Sequence, residues 1–254
     1  MQSQIFAKTT GYNVSNAYKV INTAEIVTQF EREGFNLERV SKQRVKNAAK
    51  DGFQKHLLVF RHPSMQFKNV NDSIPEILLK NSYDGSSSFQ LMLGIYRMVC
   101  SNGLIVGQTF NAIRVRHVGP DVLSKAIQGA FDVAEQVGRA AANIERMQAI
   151  QLNHVQRLQF AVQATELIKP ENALQFDSSK LLTARRVPDT SNDLWSVFNR
   201  VQENIIRGGM RYTTVDANGR VKNASKRSIK AIDRNIEINQ KLWTIAEMFA
   251  GGAL

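Results

Sequence analysis

The feature that most constrains the fold is a change of hydrophobic period at Gly119-Pro120. Before this point apolar and polar residues alternate, as over residues 110–118, where Ile113 and Val115 share one face of a strand. After it the period becomes about 3.6 residues, and a proline suits the first turn of a helix. The sequence therefore predicts an α+β protein, with an antiparallel β-sheet meander packed against long helices and a helical C-terminal half.

The β-rich part is predicted to span residues 18–118. A short strand is expected at 18–21, followed by a helix that Asn22 or Thr23 caps and Gly34 ends. Alternating or apolar segments bounded by turn sequences such as Asp51-Gly52 then indicate further strands. These strands are predicted at 37–46, 53–62, 74–80, 89–100, 104–106 and 110–118.

The helical half is predicted to span residues 120–254. Its first helical pattern persists to Ile168, and Lys169-Pro170 ends it. Because this length is unusual for one globular helix, we expect a break near residues 145–152 or a pair of helices.

Three more elements are predicted further along the chain. They are a helix capped by Asn192 or Asp193 and ended by Gly208-Gly209, a short hairpin at 210–222, and a last helix over residues 225–249. No internal repeat separates these parts, so we expect one α+β domain over residues 1–254.

The composition favours a polyanionic partner. The chain carries 33 Lys and Arg against 22 Asp and Glu, a net charge of +11, and its 43% apolar residues can form a sizeable core. The lone cysteine, Cys100, cannot form an internal disulfide, which fits a reducing compartment. No secretory signal and no membrane-length apolar run is evident in the sequence. We therefore expect a cytoplasmic protein with no membrane partner.

A search for catalytic patterns gives no candidate. The sequence contains no phosphate-binding glycine loop, no nucleophile elbow and no pair of histidines at metal-binding helical spacing. We expect a protein that is not an enzyme and has no metal and no cofactor. A nuclease built from scattered carboxylates stays an open alternative.

The cations form clusters. A helix over 225–249 would place Lys226, Lys230 and Arg234 in one continuous stripe, and a phosphate backbone would turn their mutual repulsion into attraction. The alternative is an ordinary solvated helix face. The predicted nucleic-acid-binding residues are Arg44, Lys46, Lys55, Arg61, Arg114, Arg116, Arg185, Arg186, Arg207, Arg211, Lys222, Lys226, Arg227 and Lys230.

A turn-rich motif lies in the middle of the chain. The turn Asn81-Ser-Tyr-Asp-Gly-Ser86 precedes an apolar strand, which is followed by a second turn, Cys100-Ser-Asn-Gly103. These motifs, with the segments 193–204 and 206–209, resemble the phage- and plasmid-like proteins grouped as domain of unknown function 932. The resemblance covers about residues 20–250. It implies a mobile-element setting, where DNA replication, annealing and defence evasion are common tasks, and it implies no active site.

The same turn has two interpretations from its residues alone. Asn, Asp and Gly are natural turn formers, so the segment can serve to set strand register. Alternatively, Asn81, Ser82, Asp84 and Ser86 present a polar loop to a ligand.

Two functional hypotheses follow. The first is a nucleic-acid-binding protein of a phage or plasmid that binds single-stranded DNA in annealing, recombination or protection, and that can form homo-oligomers. Tyr83, Tyr96 and Tyr212 are candidates for stacking on bases, with buried packing as the alternative for each. The second is a non-enzymatic interaction protein that binds a host factor, for example an anti-defence inhibitor whose basic surface meets an acidic patch.

Overall fold

The computed structural model describes residues 14, 18–67, 70, 73–97, 103–105, 112–115, 117 and 121–251. The helices are α1 (Thr23–Arg32), α2 (Val122–Ala134), α3 (Val137–Ala149), α4 (His154–Glu166), α5 (Leu194–Arg207) and α6 (Ile232–Gly251). The strands are β1 (Asn36–Lys42), β2 (His56–Arg61), β3 (Ser73–Asn81), β4 (Phe89–Arg97), β5 (Gly103–Ile105), β6 (Ile113–Val115), β7 (Ala173–Phe176), β8 (Arg211–Val215) and β9 (Val221–Ser225). Short 3-10 turns lie at Ala48–Lys50, Ser178–Leu182 and Val187–Asp189.

These elements confirm the predicted α+β class, its antiparallel meander and its helical C-terminal half. The described residues form two compact units, and the chain passes from the first to the second between Ala140 and Ala141. The strands β1 to β6 belong to the first unit, and β7 to β9 belong to the second. The expectation of one domain over 1–254 stays a prediction.

The sheet of the first unit is a meander in chain order. Strands β1, β2, β3 and β4 each pair antiparallel with the next. Strands β5 and β6 both pair with β4, β5 along Gly94–Tyr96 and β6 along Phe89–Leu91. Alternate residues of the three central strands are almost fully buried, among them Leu58, Phe60, Ile77, Leu79, Leu91 and Ile95.

Helices α1 and α2 cover this apolar face. Phe30 of α1 is fully buried and contacts Phe60 of β2, with 5.0 Å between their ring centroids. A Cβ on Gly129 of α2 would lie 3.0 Å from the side chain of Ile113 and 3.1 Å from that of Leu91. The absence of a side chain at Gly129 therefore lets α2 approach the sheet closely.

The predicted strand at 18–21 is wrong. The described residues 18–22 are irregular, because their polar groups bond to loops instead of to a strand ladder. The Lys19 N–H donates to the His117 carbonyl at 2.7 Å, and the Tyr18 hydroxyl donates to the Ser82 carbonyl at 2.9 Å. The parts of the predicted strands at residues 98–100, 106, 110–111, 116 and 118 lie outside the described residues.

The long helical pattern over 120–168 is three helices. The predicted break lies at residues 150–153, where Leu152 N–H donates to the Asn192 carbonyl and Leu194 N–H donates to the Ile150 carbonyl. This pairing takes backbone groups that a continuous helix would use, and a capping box at Asn153 starts α4 afresh. A second break, which the sequence did not predict, separates α2 from α3 at Glu135-Gln136.

The predicted start of the last helix is also wrong. Helix α6 begins at Ile232, because residues 221–225 are the strand β9 and residues 226–231 follow it as an irregular connection. The predicted hairpin at 210–222 is present as β8 and β9, and it extends to Ser225. Over the described residues, no helix combines the length and the apolar character that crossing a bilayer requires.

Candidate nucleic-acid interface

One predicted cation of the early strands is engaged inside the first unit. Arg61 donates to Oε1 of Glu76 from Nη2 at 2.7 Å and from Nε at 3.1 Å, and its guanidinium lies 4.7 Å from the centre of the Tyr96 ring. The Glu76 side chain is 1% exposed, and burial raises its pKa while the hydrogen bonds from Arg61 oppose that rise. Arg61 therefore neutralises a buried carboxylate.

The other early cations lie nearer the surface. Arg44 and Lys46 are exposed in the connection after β1, and Lys55 is half-buried just before β2. Arg114 is exposed on β6, whereas Arg116 lies outside the described residues.

A buried carboxylate also organises the predicted cations near α5, which are Arg185, Arg186, Arg207 and Arg211. Glu203 of α5 is 2% exposed, and its Oε1 lies 2.9 Å from Nη2 of Arg186 and 3.0 Å from Nε of Arg207. The pair with Arg207 is the ion pair that the spacing of four residues predicts. Two of the predicted cations thus compensate one buried charge.

Arg185 is held by a neighbouring amide. Its Nε donates to Oδ1 of Asn204 at 2.8 Å, and the Asn204 side-chain N–H groups donate to the carbonyls of Leu181 and Thr183. These bonds fasten the segment before α5 onto that helix. Arg211, on β8, is exposed and forms no ion pair with any described residue.

The polar loop at 81–86 divides between interior and surface. Asn81 is fully buried, and its side-chain N–H group donates to the Ile21 carbonyl and to Oγ1 of Thr23, both at 3.1 Å. Ser82 is also buried and bonds through Oγ to the backbone of Ser87. These contacts support the interpretation that the turn serves the fold. Asp84 and Ser86 lie nearer the surface, where a ligand role for them stays a prediction.

A chain of hydrogen bonds continues from Asn81 into the sheet. Oγ1 of Thr23 lies 2.9 Å from Nε2 of His56, and Nδ1 of His56 lies 3.1 Å from the Gln54 carbonyl. Because a carbonyl only accepts, the proton sits on Nδ1 and Nε2 accepts from the threonine hydroxyl. Burial lowers the pKa of His56 to about 4, so the ring is neutral near pH 7.

The predicted cations Lys226, Arg227 and Lys230 lie on the connection between β9 and α6, residues 226–231. The connection is anchored at its start by Lys226, whose N–H donates to the Met210 carbonyl and whose carbonyl accepts from Gly209. Further along, Ile229 N–H donates to the Ile206 carbonyl. Gly208 has a φ of 73°, and a Cβ there would lie 2.7 Å from the backbone of residues 226–228. The close approach of these two backbones therefore requires a glycine.

This connection borders a groove of about 570 Å³ within the second unit, which we call the basic groove. It is lined by Ile168, Tyr212, Ser225, Lys226, Arg227, Ser228, Ile229, Lys230, Ala231, Arg234 and Ile238. Four of these residues are cationic and none is a carboxylate. Among the described residues, no carboxylate pairs with Lys226, Arg227 or Lys230. Burial and the nearby Arg234 lower the pKa of Lys226.

The fourth cation of the basic groove is fixed in position. Nη1 of Arg234 donates to Oε2 of Glu237 at 2.8 Å, and its Nη2 donates to the Leu167 carbonyl. Lys241 bonds to the other oxygen of Glu237 at 2.6 Å, and hydrogen bonds from Lys241 and Arg234 lower the pKa of that carboxyl group. Arg234 thus joins the end of α4 to the first turns of α6.

The structure brings together only part of the predicted set. Lys226, Arg227 and Lys230 meet at the basic groove, not as a helical stripe but along an irregular connection, and Lys222 lies on the adjacent strand β9. The sequence predicted Tyr212 as a candidate for stacking but did not link it to these cations. The apolar residues of the groove were not predicted, because the helix predicted over residues 225–249 included Ile229, which instead lies on the irregular connection. In the part of the chain that the structure describes, no group of His, Cys, Asp and Glu side chains could hold a metal ion.

Comparisons with known proteins agree on one family. The profile described as "Domain of unknown function (DUF932)" matches residues 12–243. The chain is 32% identical over 243 residues to the UPF0380 protein YafZ and, equally, to the UPF0380 protein YfjQ, both of Escherichia coli strain K12. Each alignment covers 96% of this chain and 86% of the relative. No solved structure matches significantly.

Proposed function

The chain belongs to the DUF932 family, and on that premise we propose that it binds nucleic acid through the basic groove, with single-stranded DNA as the expected ligand. The observation that carries this proposal is the lining of the groove, where three cations have no ion-pair partner among the described residues and no carboxylate is present. Cations held close together without counter-charges repel one another, and a phosphate backbone relieves that repulsion.

The setting proposed for this activity is a phage or plasmid. The resemblance noted in the sequence motifs supports it, and annealing, recombination or protection of single strands are the tasks that it suggests. None of them requires a catalytic group, and the cations of the basic groove need only hold the strand.

The test is a titration of labelled single-stranded and duplex oligonucleotides at two salt concentrations. Contacts from about three cations to a single strand give a slope of about −2 in log affinity against log salt. The affinity should therefore fall roughly 20-fold between about 50 and 200 mM salt. Absence of binding to any oligonucleotide at low salt would falsify the proposal.

A triple variant locates the contact. Lys226→Glu, Arg227→Glu and Lys230→Glu together should weaken binding by more than about tenfold while leaving the melting temperature nearly unchanged, because these side chains support no described ion pair. The matched control is Lys125→Glu, Arg139→Glu and Lys180→Glu, which changes the net charge equally at exposed positions outside the groove lining. Equal losses in both triples would show general charge attraction and would remove the groove from the proposal.

A further inference from the structure

Resting on the proposed function, we infer that the basic groove holds an unpaired base against Tyr212 while its rim holds the adjoining phosphates. The ligand is then a strand with accessible bases, and a bare polyanion or an intact duplex does not fill the groove.

The position of Tyr212 within its sheet is the first observation. Tyr212 lies on β8, the middle strand, with Phe176 of β7 and Ala224 of β9 as its cross-strand partners. The Tyr212 and Phe176 rings are stacked, with 6.1 Å between centroids and 17° between planes. On the other side of Tyr212 the cross-strand partner is Ala224, whose side chain is only a methyl group. The ring is therefore supported on one side and bordered by a small side chain on the other.

The mixed chemistry of the groove lining is the second observation. Tyr212 and Ile229 line the groove with half-buried side chains, and Ile168 and Ile238 line it as buried residues, whereas the cations belong to the 226–231 connection and to α6. A site for a bare polyanion needs only the cations. A nucleotide unit has a flat, largely apolar base joined to an anionic phosphate, and it matches both halves of this lining.

The size of the groove agrees with this assignment. Its volume of about 570 Å³ falls in the range of clefts that enclose compact organic ligands. That space is comparable to about one or two nucleotides, whereas the bases of a duplex are stacked inside and cannot reach Tyr212.

The Tyr212 hydroxyl has no part in this inference. Within the described residues it forms no hydrogen bond, so its removal leaves no partner unsatisfied. The expected contribution comes from the ring, because every base has a π-face on which an aromatic side chain can stack. Tyr212→Phe keeps that ring, and Tyr212→Leu removes it.

The experiment compares a single-stranded oligonucleotide with one of equal length whose central nucleotides are abasic. The full-length wild-type chain should bind the normal strand about tenfold more tightly or better, the typical effect of one stacked base. Tyr212→Phe should keep this ratio, and Tyr212→Leu should reduce it to about one. The charge triple at residues 226, 227 and 230 should instead weaken both strands alike.

Two outcomes would overturn the inference while leaving the proposed function intact. One is equal affinity of the wild-type chain for normal and abasic strands, and the other is an unchanged ratio in Tyr212→Leu. A free mononucleotide that competes as strongly as the oligonucleotide would overturn the assignment to a strand. Failure of every oligonucleotide to bind would instead remove the proposed function itself. If Tyr212→Leu does not fold, equal affinity of the wild-type chain for the normal and abasic strands would still overturn the inference.

Discussion

The loop at 81–86 in the first unit and the connection at 226–231 in the second are both polar segments that follow a strand, yet they use their side chains differently. In the loop, Asn81 and Ser82 are buried, and their hydrogen bonds end on backbone and side chains of the same unit. In the connection, the backbone is anchored to residues 206–210, but the cationic side chains of Lys226, Arg227 and Lys230 have no described partner. One segment is held by its side chains, and the other is held by its backbone.

This difference teaches that a recognisable motif and a binding surface need not coincide. The Asn81–Gly85 turn stands out in the sequence because a fully buried amide must find partners, and few residue types fit that requirement. The 226–231 connection has no such pattern, since cations that face solvent can be arranged in many ways. The candidate interface therefore lies where the sequence is least distinctive.

The largest expected effect tests whether the charges of the first unit serve stability. Arg61→Ala leaves the buried carboxylate of Glu76 with Arg39 as its remaining cation among the described residues, and Nη2 of Arg39 lies 3.9 Å away. We expect a loss of about 3 kcal/mol in the free energy of unfolding at neutral pH, measured by urea denaturation. Oligonucleotide affinity of the folded variant should stay unchanged, and a loss of affinity without a loss of stability would contradict the comparison.

The same variant has a predicted pH dependence. Burial already raises the pKa of Glu76, and removal of Arg61 raises it further, so the ionised carboxylate opposes folding more strongly. The deficit relative to the wild type should be largest near neutral pH and should shrink as the pH falls through the raised pKa that Glu76 has in the variant. It should be lost once the pH lies below the pKa that Glu76 has in the wild type, because the protonated form needs no cation. Arg39→Ala, at an exposed position, is the matched control and should show a smaller deficit.

A smaller effect tests whether the backbone holds the 226–231 connection. Gly208→Ala places a side chain at a φ of 73° and 2.7 Å from the backbone of residues 226–228. We expect a loss of about 2 kcal/mol in unfolding free energy and a loss of oligonucleotide affinity, because the cations must shift. Gly209→Ala is the control, since its φ of 88° carries the same left-handed backbone strain but its Cβ would meet no atom within 4 Å. Equal loss of affinity in both variants would show that the close approach of Gly208 to residues 226–228 does not position the cations.

The smallest effect concerns a single cation of the basic groove. Lys230→Ala should lower the slope of log affinity against log salt by about 0.7, the share of one contact to a single-stranded phosphate, without changing the melting temperature. Arg185→Ala should instead lower the melting temperature and leave the salt slope unchanged, because Arg185 is bonded to Asn204 and supports the segment before α5. A salt slope that Lys230→Ala leaves untouched would place the phosphate contact elsewhere.

Much of the fold was predictable because its signals are local. Alternation identified the central strands, Asn22 and Gly34 bounded α1, and the sequence Asp216-Ala-Asn-Gly219 marked the turn between β8 and β9. The predicted start of the last helix was wrong because it depends on contacts between distant parts of the chain. The N–H groups of Lys226 and Ile229 donate to the carbonyls of Met210 and Ile206, which no local pattern could reveal.

The candidate site was predictable in composition but not in geometry. Lys226, Arg227 and Lys230 were selected by charge, but the predicted helical stripe of Lys226, Lys230 and Arg234 is absent. Residues 226–231 are an irregular connection whose backbone bonds to residues 206–210. Charge alone also selected Arg61 and Arg186, because the sequence does not show that Glu76 and Glu203 are buried beside them. Cations that pair with buried carboxylates are not available to bind a ligand. Which carboxylates are buried is decided by the assembled fold.

The hydrogen-bonded chain from Asn81 through Thr23 to His56 has a consequence for the order of assembly. His56 and Asn81 are paired across β2 and β3, and both side chains form a hydrogen bond with Oγ1 of Thr23. These two side chains come together only when the β2–β3 hairpin has formed in register. A slip of one residue would turn either side chain to the opposite face of the sheet. Helix α1, which begins at Thr23, can therefore dock only on a correctly paired hairpin. Docking of α1 therefore depends on correct pairing of β2 with β3, and we expect α1 to become ordered after the β2–β3 hairpin during folding.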